Sequence, residues 1–328
     1  MKQSISLEDI YAPIQDQIPS VEATILNILT TSNELAHTTI KYFFGSKGKL
    51  LRPALCMIAA KFGKETLDEK VIRIASALEI FHSATLIHDD IIDAAYLRRG
   101  LPTINVKWGP QTAVLVGDFL YDRALRTIFD VGLAKVTSLM YDTAEQVCDG
   151  EILEAKERHN YNLTEEEYFT IVEKKTASLL SMCLEAGAIA GGLALDDVIA
   201  LKKFGLYFGL AFQVVDDCLD FTGEEHEFGK TLGADADAGV LTLPIIRLIS
   251  LVNEKQKSEV FRIFKSEDSF EKLRYLKGLF AEYDALDYAR QKAKEYAERA
   301  QLELSVFGDS AVKRSLEGLL TYVFARGR

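Results

Sequence analysis

The sequence has few of the residues that bind zinc or form disulfides. It contains four cysteines, dispersed along the chain without a Cys-x-x-Cys pair, and only five histidines. Dispersed cysteines among apolar neighbours indicate reduced, packed thiols rather than a disulfide framework or a zinc site. His88 precedes an aspartate, as in metal-dependent phosphohydrolases of the HD type, but the other histidines are not grouped as that class requires. A Ser-His-Asp signature is also missing, so serine-hydrolase chemistry is not expected.

Basic residues, 38 in number, are outnumbered by 49 acidic ones, and long apolar runs are scarce. The formal net charge is −11, which argues against a nucleic-acid partner because phosphate backbones bind basic surfaces. A local group of cations or metal ions still permits an anionic substrate. No apolar run reaches the roughly 18 residues of a membrane span, and the first 25 residues lack the apolar core of a signal peptide. The sequence therefore predicts a cytoplasmic protein without a transmembrane segment.

Strict alternation of apolar and polar residues, the pattern of a half-buried strand, is almost absent. Long segments such as "VIRIASALEIFHSATLIHDDIID" carry apolar residues at helical spacing instead. Thr164 followed by Glu167 predicts a capping box at one helix start. The glycine-containing segments "RRGLPT" and "FTGEEHEFGKTLGADADAGVLTLP" predict loops. Because no linker or strong repeat divides the chain, we expect an all-α protein with a single domain over residues 1–328.

Two acidic clusters stand inside apolar helical segments. Both have the pattern Asp-Asp-x-x-Asp: Asp89, Asp90 and Asp93 form the first cluster, and Asp216, Asp217 and Asp220 form the second. On a helix the first and last aspartates lie one turn apart on the same face, where they repel each other unless a divalent cation is chelated. All-oxygen ligands favour Mg²⁺ when a phosphate supplies the remaining ligands. A solvated helix face is the alternative for one such cluster, but two clusters with apolar flanks favour a metal site.

Cationic residues accompany the clusters. The candidates are Lys49, Arg52, Arg98, Arg99, Lys174, Lys175 and Lys230. Each of them alone could be a surface charge. Lys175 and Lys230 have small or apolar neighbours, which favours a role in a site. Together these residues are a candidate set for an anionic ligand.

The motifs resemble those of the trans-prenyltransferases, the head-to-tail isoprenyl diphosphate synthases. The string "E-x-x-H-x-x-T-L-I-H-D-D-x-x-D-x-x-x-x-R-R-G" is similar to the first aspartate-rich motif of this family, and "GLAFQVVDDCLDFTG" to the second. The segments "G-K-x-x-R-P", "G-D-F-L" and "K-T-A" match in the same order. The resemblance covers nearly the whole chain.

The resemblance implies a helical bundle around a central cavity, a homodimer, and a reaction that joins an allylic diphosphate to isopentenyl diphosphate. Mg²⁺ would be held by Asp89, Asp93 and Asp216. Asp90, Asp217 and Asp220 would complete the shell directly or through water. The allylic diphosphate would contact Arg98, Lys175, Thr176, Gln213 and Lys230. Isopentenyl diphosphate would contact Lys49, Arg52, His82 and Arg99. The expected catalytic residues are the six aspartates with Arg98, Lys175 and Lys230.

Two positions depart from the family pattern. Lys47 replaces a glycine before the first basic motif, which would stiffen that loop or change its reach. Val240 stands where the family usually carries a lysine that faces the diphosphate. The missing cation would weaken allylic diphosphate binding or shift the burden to Lys230. It also leaves open a poorly active or regulatory paralogue.

The residues before the first cluster bear on product length. Short-chain members of the family tend to carry an aromatic residue four or five positions before the first aspartate, and here these positions are Thr85 and Ala84. One helical turn of about 5.4 Å is close to the length of one isoprene unit, so an open pocket predicts a product of about C30 to C50. Phe81 is a candidate partial floor. The small residues could instead serve helix packing.

Three other functions remain for comparison. A short-chain synthase would differ only in product. A class I terpene cyclase would share the fold, but its second motif is an Asn-Ser-Glu triad rather than a second Asp-Asp-x-x-Asp. A weakly active or non-catalytic subunit of a heteromeric synthase is disfavoured by the six aspartates and favoured by Val240.

Overall fold

The computed structural model describes residues 5–46, 48–222, 233–266 and 268–325. The α-helices are α1 Leu7–Tyr11, α2 Ile18–Ile28, α3 Glu34–Gly45, α4 Leu51–Lys61, α5 Glu69–Ile92, α6 Ile104–Trp108, α7 Pro110–Val131, α8 Ala134–Glu157, α9 Glu165–Val172, α10 Ser178–Gly191, α11 Leu195–Thr222, α12 Ala234–Asp237, α13 Leu243–Leu251, α14 Glu254–Phe264, α15 Ser269–Tyr283, α16 Ala285–Glu303 and α17 Ala311–Ala325. Two 3₁₀ helices span Ala12–Gln17 and Leu304–Val306, and a π-helical turn spans Glu173–Ala177. Strands β1 Leu97–Arg98 and β2 Leu101–Pro102 form one antiparallel pair.

The helices pack as one all-α domain, which confirms the predicted fold class. Helix α5 packs along α4 and α7, and α8 packs on α7 and α10. Helix α10 packs on α4, α5 and α11. Helix α11 lies between α10 and α16. A continuous apolar core runs from Ile10 to Val323, so the described helices share one interior.

Glycines allow the central helices to approach closely. A Cβ at Gly187 of α10 would lie 2.1 Å from the carbonyl oxygen of Cys56 in α4. A Cβ at Gly209 of α11 would lie 2.6 Å from the Cα of Ala177. Both distances are shorter than any real contact of a Cβ atom, and the obstructing atoms belong to backbone. Side chains at these positions would therefore force α10 away from α4, and α11 away from the π-helical turn.

We expect Gly187→Ala to lower the free energy of unfolding by about 1–3 kcal/mol, because overpacking of a filled interior has this cost. Gly278→Ala is the matched control, since a Cβ there meets nothing within 4 Å. The control should raise the free energy of unfolding by about 0.5–1 kcal/mol through the higher helix propensity of alanine. Urea denaturation of both variants measures the two changes. Equal effects of both substitutions would contradict the proposed close approach.

Local sequence signals for helices are confirmed at the start of α9. The Thr164 side chain accepts the backbone N–H of Glu167 at 3.2 Å, and the Glu167 carboxylate accepts the backbone N–H of Thr164 at 2.8 Å. These two hydrogen bonds are the predicted capping box.

The segment "RRGLPT", predicted as a loop, instead contains the turn of the β1–β2 hairpin. Leu97 pairs with Pro102, and Arg98 pairs with Leu101. The two turn residues, Arg99 and Gly100, both have positive φ angles, of 52° and 75°. Two-residue hairpins require this conformation, which is usually signalled by Asn-Gly or Asp-Gly, so the Arg-Gly pair escaped prediction.

Helix α11 is long and apolar enough to cross a membrane by length and composition alone. Of its most apolar window, 61% is buried inside the protein, against α10 and α16. This burial is typical of a core helix. No other helix in the described part of the chain meets the same criteria.

Candidate active site

The first acidic cluster lies at the C-terminal end of α5, where its three side chains have different environments. Asp90 is buried and accepts three hydrogen bonds from Arg98, two from Nε at 3.0 and 2.8 Å and one from Nη2 at 2.8 Å. This bidentate pair anchors the β1–β2 hairpin to α5. Asp93 is 40% exposed and accepts a hydrogen bond from Arg158, which follows α8. Asp89 is half-buried.

Asp89 faces carboxylates of α8 that the sequence analysis did not identify. Lys175 Nζ lies 2.6 Å from Glu154 Oε1 and 3.0 Å from Glu151 Oε2, and it also attracts Asp89. Although burial lowers the pKa of Lys175, the adjacent carboxylates of Glu154 and Glu151 raise it above its usual value. Glu151 and Glu154 are three residues apart in "GEILE", a spacing that places them on one helix face and could have revealed them.

The side chains around Asp89, namely Glu151, Glu154 and Lys175, carry more negative than positive charge together with it. Burial raises the pKa of Asp89, Lys175 opposes that rise and Asp93 adds to it, so that the pKa is about 6. Burial and Asp89 raise the pKa of Glu151 to about 7. An additional cation beside Asp89 would therefore relieve repulsion between carboxylates.

The second acidic cluster lies near the C-terminal end of α11. Asp217 is buried, and its two oxygens accept hydrogen bonds from the hydroxyl of Tyr168 and from Gln213 Nε2, the latter at 2.8 Å. Burial and neighbouring carboxylates, Asp235 first, raise the pKa of Asp217 well above its usual range. Asp216 is half-buried, and the carboxylate of Asp220 accepts the backbone N–H groups of residues 234 and 235 at 3.2 and 3.3 Å.

The π-helical turn Glu173–Ala177 joins the surroundings of the two clusters. Lys175 interacts with Asp89 and the α8 carboxylates, while the next residue, Thr176, donates a hydrogen bond to Gln213 Oε1 at 3.0 Å. Gln213 in turn donates to Asp217, so consecutive residues of one turn connect to opposite clusters. Such turns contain an extra residue and are frequent at functional sites.

A second cationic group surrounds His82. Burial lowers the pKa of His82 well below its usual range, and three nearby guanidinium groups lower it further: Arg52, Arg98 and Arg99. Glu79, the first residue of the first aspartate-rich motif but given no role from the sequence, is buried nearby. Burial raises its pKa, whereas Arg52 and Arg99 oppose that rise. Arg52 Nε and Glu79 Oε2 are buried without a hydrogen-bond partner among the described residues. A neutral imidazole among three arginines is suited to an anion.

Arg99 also contacts the segment before α4, and Lys49 lies at the surface. Arg99 Nη1 donates to the carbonyl of Ser46 at 2.8 Å, and its guanidinium lies over Gly48, where a Cβ would be 2.8 Å from Nη2. Lys49 is exposed, with Nζ 5.7 Å from the ring centroid of Tyr322. Lys230 and Lys47 lie outside the described residues.

The predicted chain-length residues lie one to two turns before Asp89 on α5. Ala84 and Phe81 are both buried, with 1% of their surface exposed, and the Phe81 ring centroid lies 5.4 Å from that of Tyr121 in α7. Thr85 is half-buried and donates to the carbonyl of His82 at 2.8 Å. Phe81 therefore packs toward α7 as part of an aromatic pair.

The donor set fits a hard divalent cation that shares its shell with a ligand. Both clusters offer carboxylate oxygens, the donors that Mg²⁺ and Ca²⁺ prefer. In the part of the chain that the structure describes, no three carboxylate, histidine or cysteine side chains are already grouped around a metal position. The missing ligands would thus be oxygens of a substrate and water.

We expect metal binding to weaken as pH falls through the raised pKa of Asp89, about 6. A carboxylate must be ionised to bind a metal, so affinity should fall by about tenfold per pH unit below that value. Titration with Mn²⁺, followed by the electron paramagnetic resonance of the free ion between pH 5 and 7.5, measures this dependence. Asp89→Asn should flatten the profile. A wild-type affinity that is constant over this range would contradict the assignment.

The helical bundle combines paired acidic clusters with an arginine-rich group, an arrangement suited to an anionic ligand that carries a divalent cation. The polyprenyl synthetase family model matches residues 33–280. The all-trans-nonaprenyl-diphosphate synthase (geranyl-diphosphate specific) of Rhodobacter capsulatus is 32% identical over 95% of both chains. Heptaprenyl diphosphate synthase component 2 of Geobacillus stearothermophilus is 31% identical over 98% of this chain and 99% of its own.

A solved structure shows the same fold. The polyprenyl synthase of Caulobacter crescentus CB15, complexed with calcium and isoprenyl diphosphate, superimposes with a TM-score of 0.94 at 28% identity and covers 100% of both chains. The chain therefore belongs to the polyprenyl synthetase family. As a member it is a prenyltransferase that uses isoprenyl diphosphates. The similar relatives differ in product length, so the family alone does not fix the product.

Proposed function

We propose that this chain is a Mg²⁺-dependent trans-polyprenyl diphosphate synthase that makes an all-trans product. The proposed product length is about C30 to C50, because each helical turn of open pocket would admit about one isoprene unit. The observation that carries the proposal is the π-helical turn, whose consecutive residues Lys175 and Thr176 connect to the two acidic clusters. One diphosphate bound beside this turn would lie within reach of both clusters.

The first group of residues would bind the allylic diphosphate. Asp89, Asp93 and Asp216 would hold Mg²⁺, with Asp90, Asp217 and Asp220 as outer supports. When bound, the metal would neutralise the charge that develops on the departing diphosphate. The cations and hydrogen-bond donors around the diphosphate would be Arg98, Lys175, Thr176, Gln213 and Lys230. Lys175 is held in place by two carboxylates, so its ammonium group is preorganised for this role.

The group around His82 would bind the second substrate, isopentenyl diphosphate, together with Lys49, Arg52 and Arg99. Support comes from the buried Nε–H of Arg52, which has no acceptor among the described residues, and from the guanidinium groups near His82. His82 would donate or accept a hydrogen bond as a neutral imidazole, because its lowered pKa keeps it uncharged near neutral pH.

The reaction would start with cleavage of the allylic C–O bond, whose electron pair leaves with the diphosphate. The double bond of isopentenyl diphosphate would attack the resulting carbocation and form the new C–C bond. Loss of one proton to the released diphosphate would restore a double bond. Preorganised cations in a water-excluded pocket supply the largest stabilisation for such charge separation.

The proposed long product is supported by Ala84 and Thr85. Neither side chain carries the ring that short-chain members of the family tend to have at these positions. Phe81, paired with Tyr121, would form a partial floor one turn lower.

Incubation of the purified chain with labelled isopentenyl diphosphate, Mg²⁺ and primers of increasing length tests this proposal. Chromatography should show products of about C30 to C50, if each helical turn of open pocket admits about one isoprene unit. No product should form when Mg²⁺ is chelated. Products no longer than about C20 would favour the short-chain alternative, since each blocked helical turn removes about one isoprene unit. The second candidate is a subunit of a heteromeric synthase, because the chain is similar to a heptaprenyl diphosphate synthase component 2. Turnover only after addition of a second, different subunit would favour this candidate.

We further propose one catalytic domain over residues 1–328, a homodimer and a cytoplasmic location. Contacts of α1 with α17 support the single domain. Exposed apolar side chains on α7, including Leu115 at 68% and Phe129 at 60%, support self-association. All four cysteines are free thiols, as expected in a reducing compartment. Light scattering coupled to size-exclusion chromatography would determine the oligomeric state.

A further inference from the structure

Arg158 links α8 to the first acidic cluster in a way that the family motifs do not account for. Its guanidinium donates to the carboxylate of Asp93 through Nη2 and to the carbonyl of Ile92 through Nη1, the latter at 3.4 Å. The side chain is 22% exposed, and its Nε–H is buried without an acceptor among the described residues. A buried guanidinium donor without a partner is suited to an additional oxygen acceptor.

The residue that follows Arg158 is fixed against the segment beyond the second cluster. His159 adopts a positive φ of 60°, and its backbone N–H donates to the carbonyl of Gly239 at 2.9 Å. Gly239 also has a positive φ, of 76°, and a Cβ there would lie 2.1 Å from the ring of His159. A non-glycine residue keeps such a conformation only where its surroundings enforce it. The backbone next to Arg158 is therefore fixed against the segment that follows the second cluster, while the Arg158 side chain contacts the first cluster.

The same segment carries the position where the family lysine is missing. Val240 directly follows Gly239, and its backbone N–H donates to the carbonyl of Asp235 at 2.9 Å. The nearby cation Lys272 is buried and lies 2.8 Å from Asp237, to which it is committed. Arg158 is thus one residue along the chain from the contact with Gly239, which precedes Val240.

We propose that Arg158 binds the metal-coordinated diphosphate and supplies the positive charge that Val240 does not. Without ligand the guanidinium neutralises Asp93. When Asp93 coordinates a metal, the guanidinium remains beside it and donates to diphosphate oxygens, a bidentate geometry that arginine favours. This inference rests on the proposed function of the same site.

Binding of inorganic pyrophosphate in the presence of Mg²⁺, measured by isothermal titration calorimetry, tests the role of Arg158. Arg158→Gln should weaken binding by about tenfold or more, the usual effect of losing a charged hydrogen bond. Arg126→Gln is the matched control, because Arg126 is an exposed arginine that pairs with Asp130 at 3.0 Å on α7. The control should leave the affinity unchanged.

A lysine at position 240 provides a second, independent test. In the Arg158→Gln background, Val240→Lys should restore most of the lost affinity. In the otherwise unchanged chain the same substitution should alter affinity by less than about twofold, since the charge is already supplied. Melting curves show whether each variant is folded. The Val240→Lys single variant decides the question even if Arg158→Gln unfolds.

The outcomes separate this inference from the function on which it rests. Arg158→Gln that is folded and binds pyrophosphate as the wild type does would overturn the role of Arg158. A Val240→Lys chain that binds pyrophosphate about tenfold more tightly would show that the site had lacked this positive charge, and would overturn the role of Arg158 as well. A wild-type chain that binds no pyrophosphate with Mg²⁺ would instead overturn the proposed function.

Discussion

Replacing Asp89 with asparagine is expected to lower kcat by about 1000-fold, because the departing diphosphate would lose a metal position in the transition state. Asp89 is the best candidate for this effect. It lies among Lys175 and the carboxylates of α8, and its pKa is raised to about 6 by burial and by Asp93. The amide has the same shape but no charge, so it keeps the packing and removes the metal ligand.

Steady-state kinetics with a fixed allylic primer and saturating Mg²⁺ measures the effect. Asp130→Asn is the control, since Asp130 is an exposed aspartate that pairs with Arg126 on α7. It should leave kcat within about twofold, as is usual for surface pairs. If Asp89→Asn kept most of the activity of a folded chain, the assignment of the first cluster as a metal site would be wrong.

Introducing a phenylalanine at Ala84 is expected to shorten the product to about C20 or less. Ala84 lies on α5 slightly more than one turn before Asp89, so a ring there would block the path of the growing chain. One turn of about 5.4 Å corresponds to one isoprene unit, and the first blocked turn sets the limit. Initial condensation with a short primer should continue, because the diphosphate-binding residues are unchanged.

Chromatography of the products compares Ala84→Phe with Thr85→Phe and the wild type. Ala84 is buried with 1% exposure, so the ring has to displace neighbours, and a melting curve must accompany the measurement. Thr85 is half-buried and accommodates a ring with less strain, which makes it the second variant. Folded variants that both give the wild-type product length would show that these positions do not limit the chain.

The fold class followed directly from the sequence because helical periodicity depends only on local spacing. The apolar spacing predicted the all-α architecture, and Thr164 with Glu167 predicted a helix start that the structure confirms. The β1–β2 hairpin was missed because Arg99 adopts a positive φ, which its residue type does not signal.

The acidic clusters were also evident from the sequence, but the partners of their side chains were not. Asp90 binds Arg98, eight residues along, and this contact depends on the hairpin turn. The contact of Asp217 with Tyr168 joins α9 to α11, and the pairing of Lys175 with Glu154 joins the π-helical turn to α8. Such long-range contacts are set by tertiary packing, which local residue spacing does not encode.

The departure from the family pattern at Val240 also shows that the sequence does not reveal long-range contacts. The sequence identified the missing lysine, and the natural substitute appeared to be Lys230, which follows the second cluster in the chain. The structure instead brings Arg158, which directly follows α8, to Asp93, and its neighbour His159 to Gly239. Only the folded chain places these residues together.

Calorimetric titration of inorganic pyrophosphate with Mg²⁺ into the wild type, Asp89→Asn and Asp216→Asn tests most directly whether both clusters act on one diphosphate. We expect tight binding to the wild type and a loss of at least about 100-fold in each single variant, since both clusters would share one metal-bridged ligand. Wild-type affinity in either folded variant would show that the cluster concerned does not hold the diphosphate.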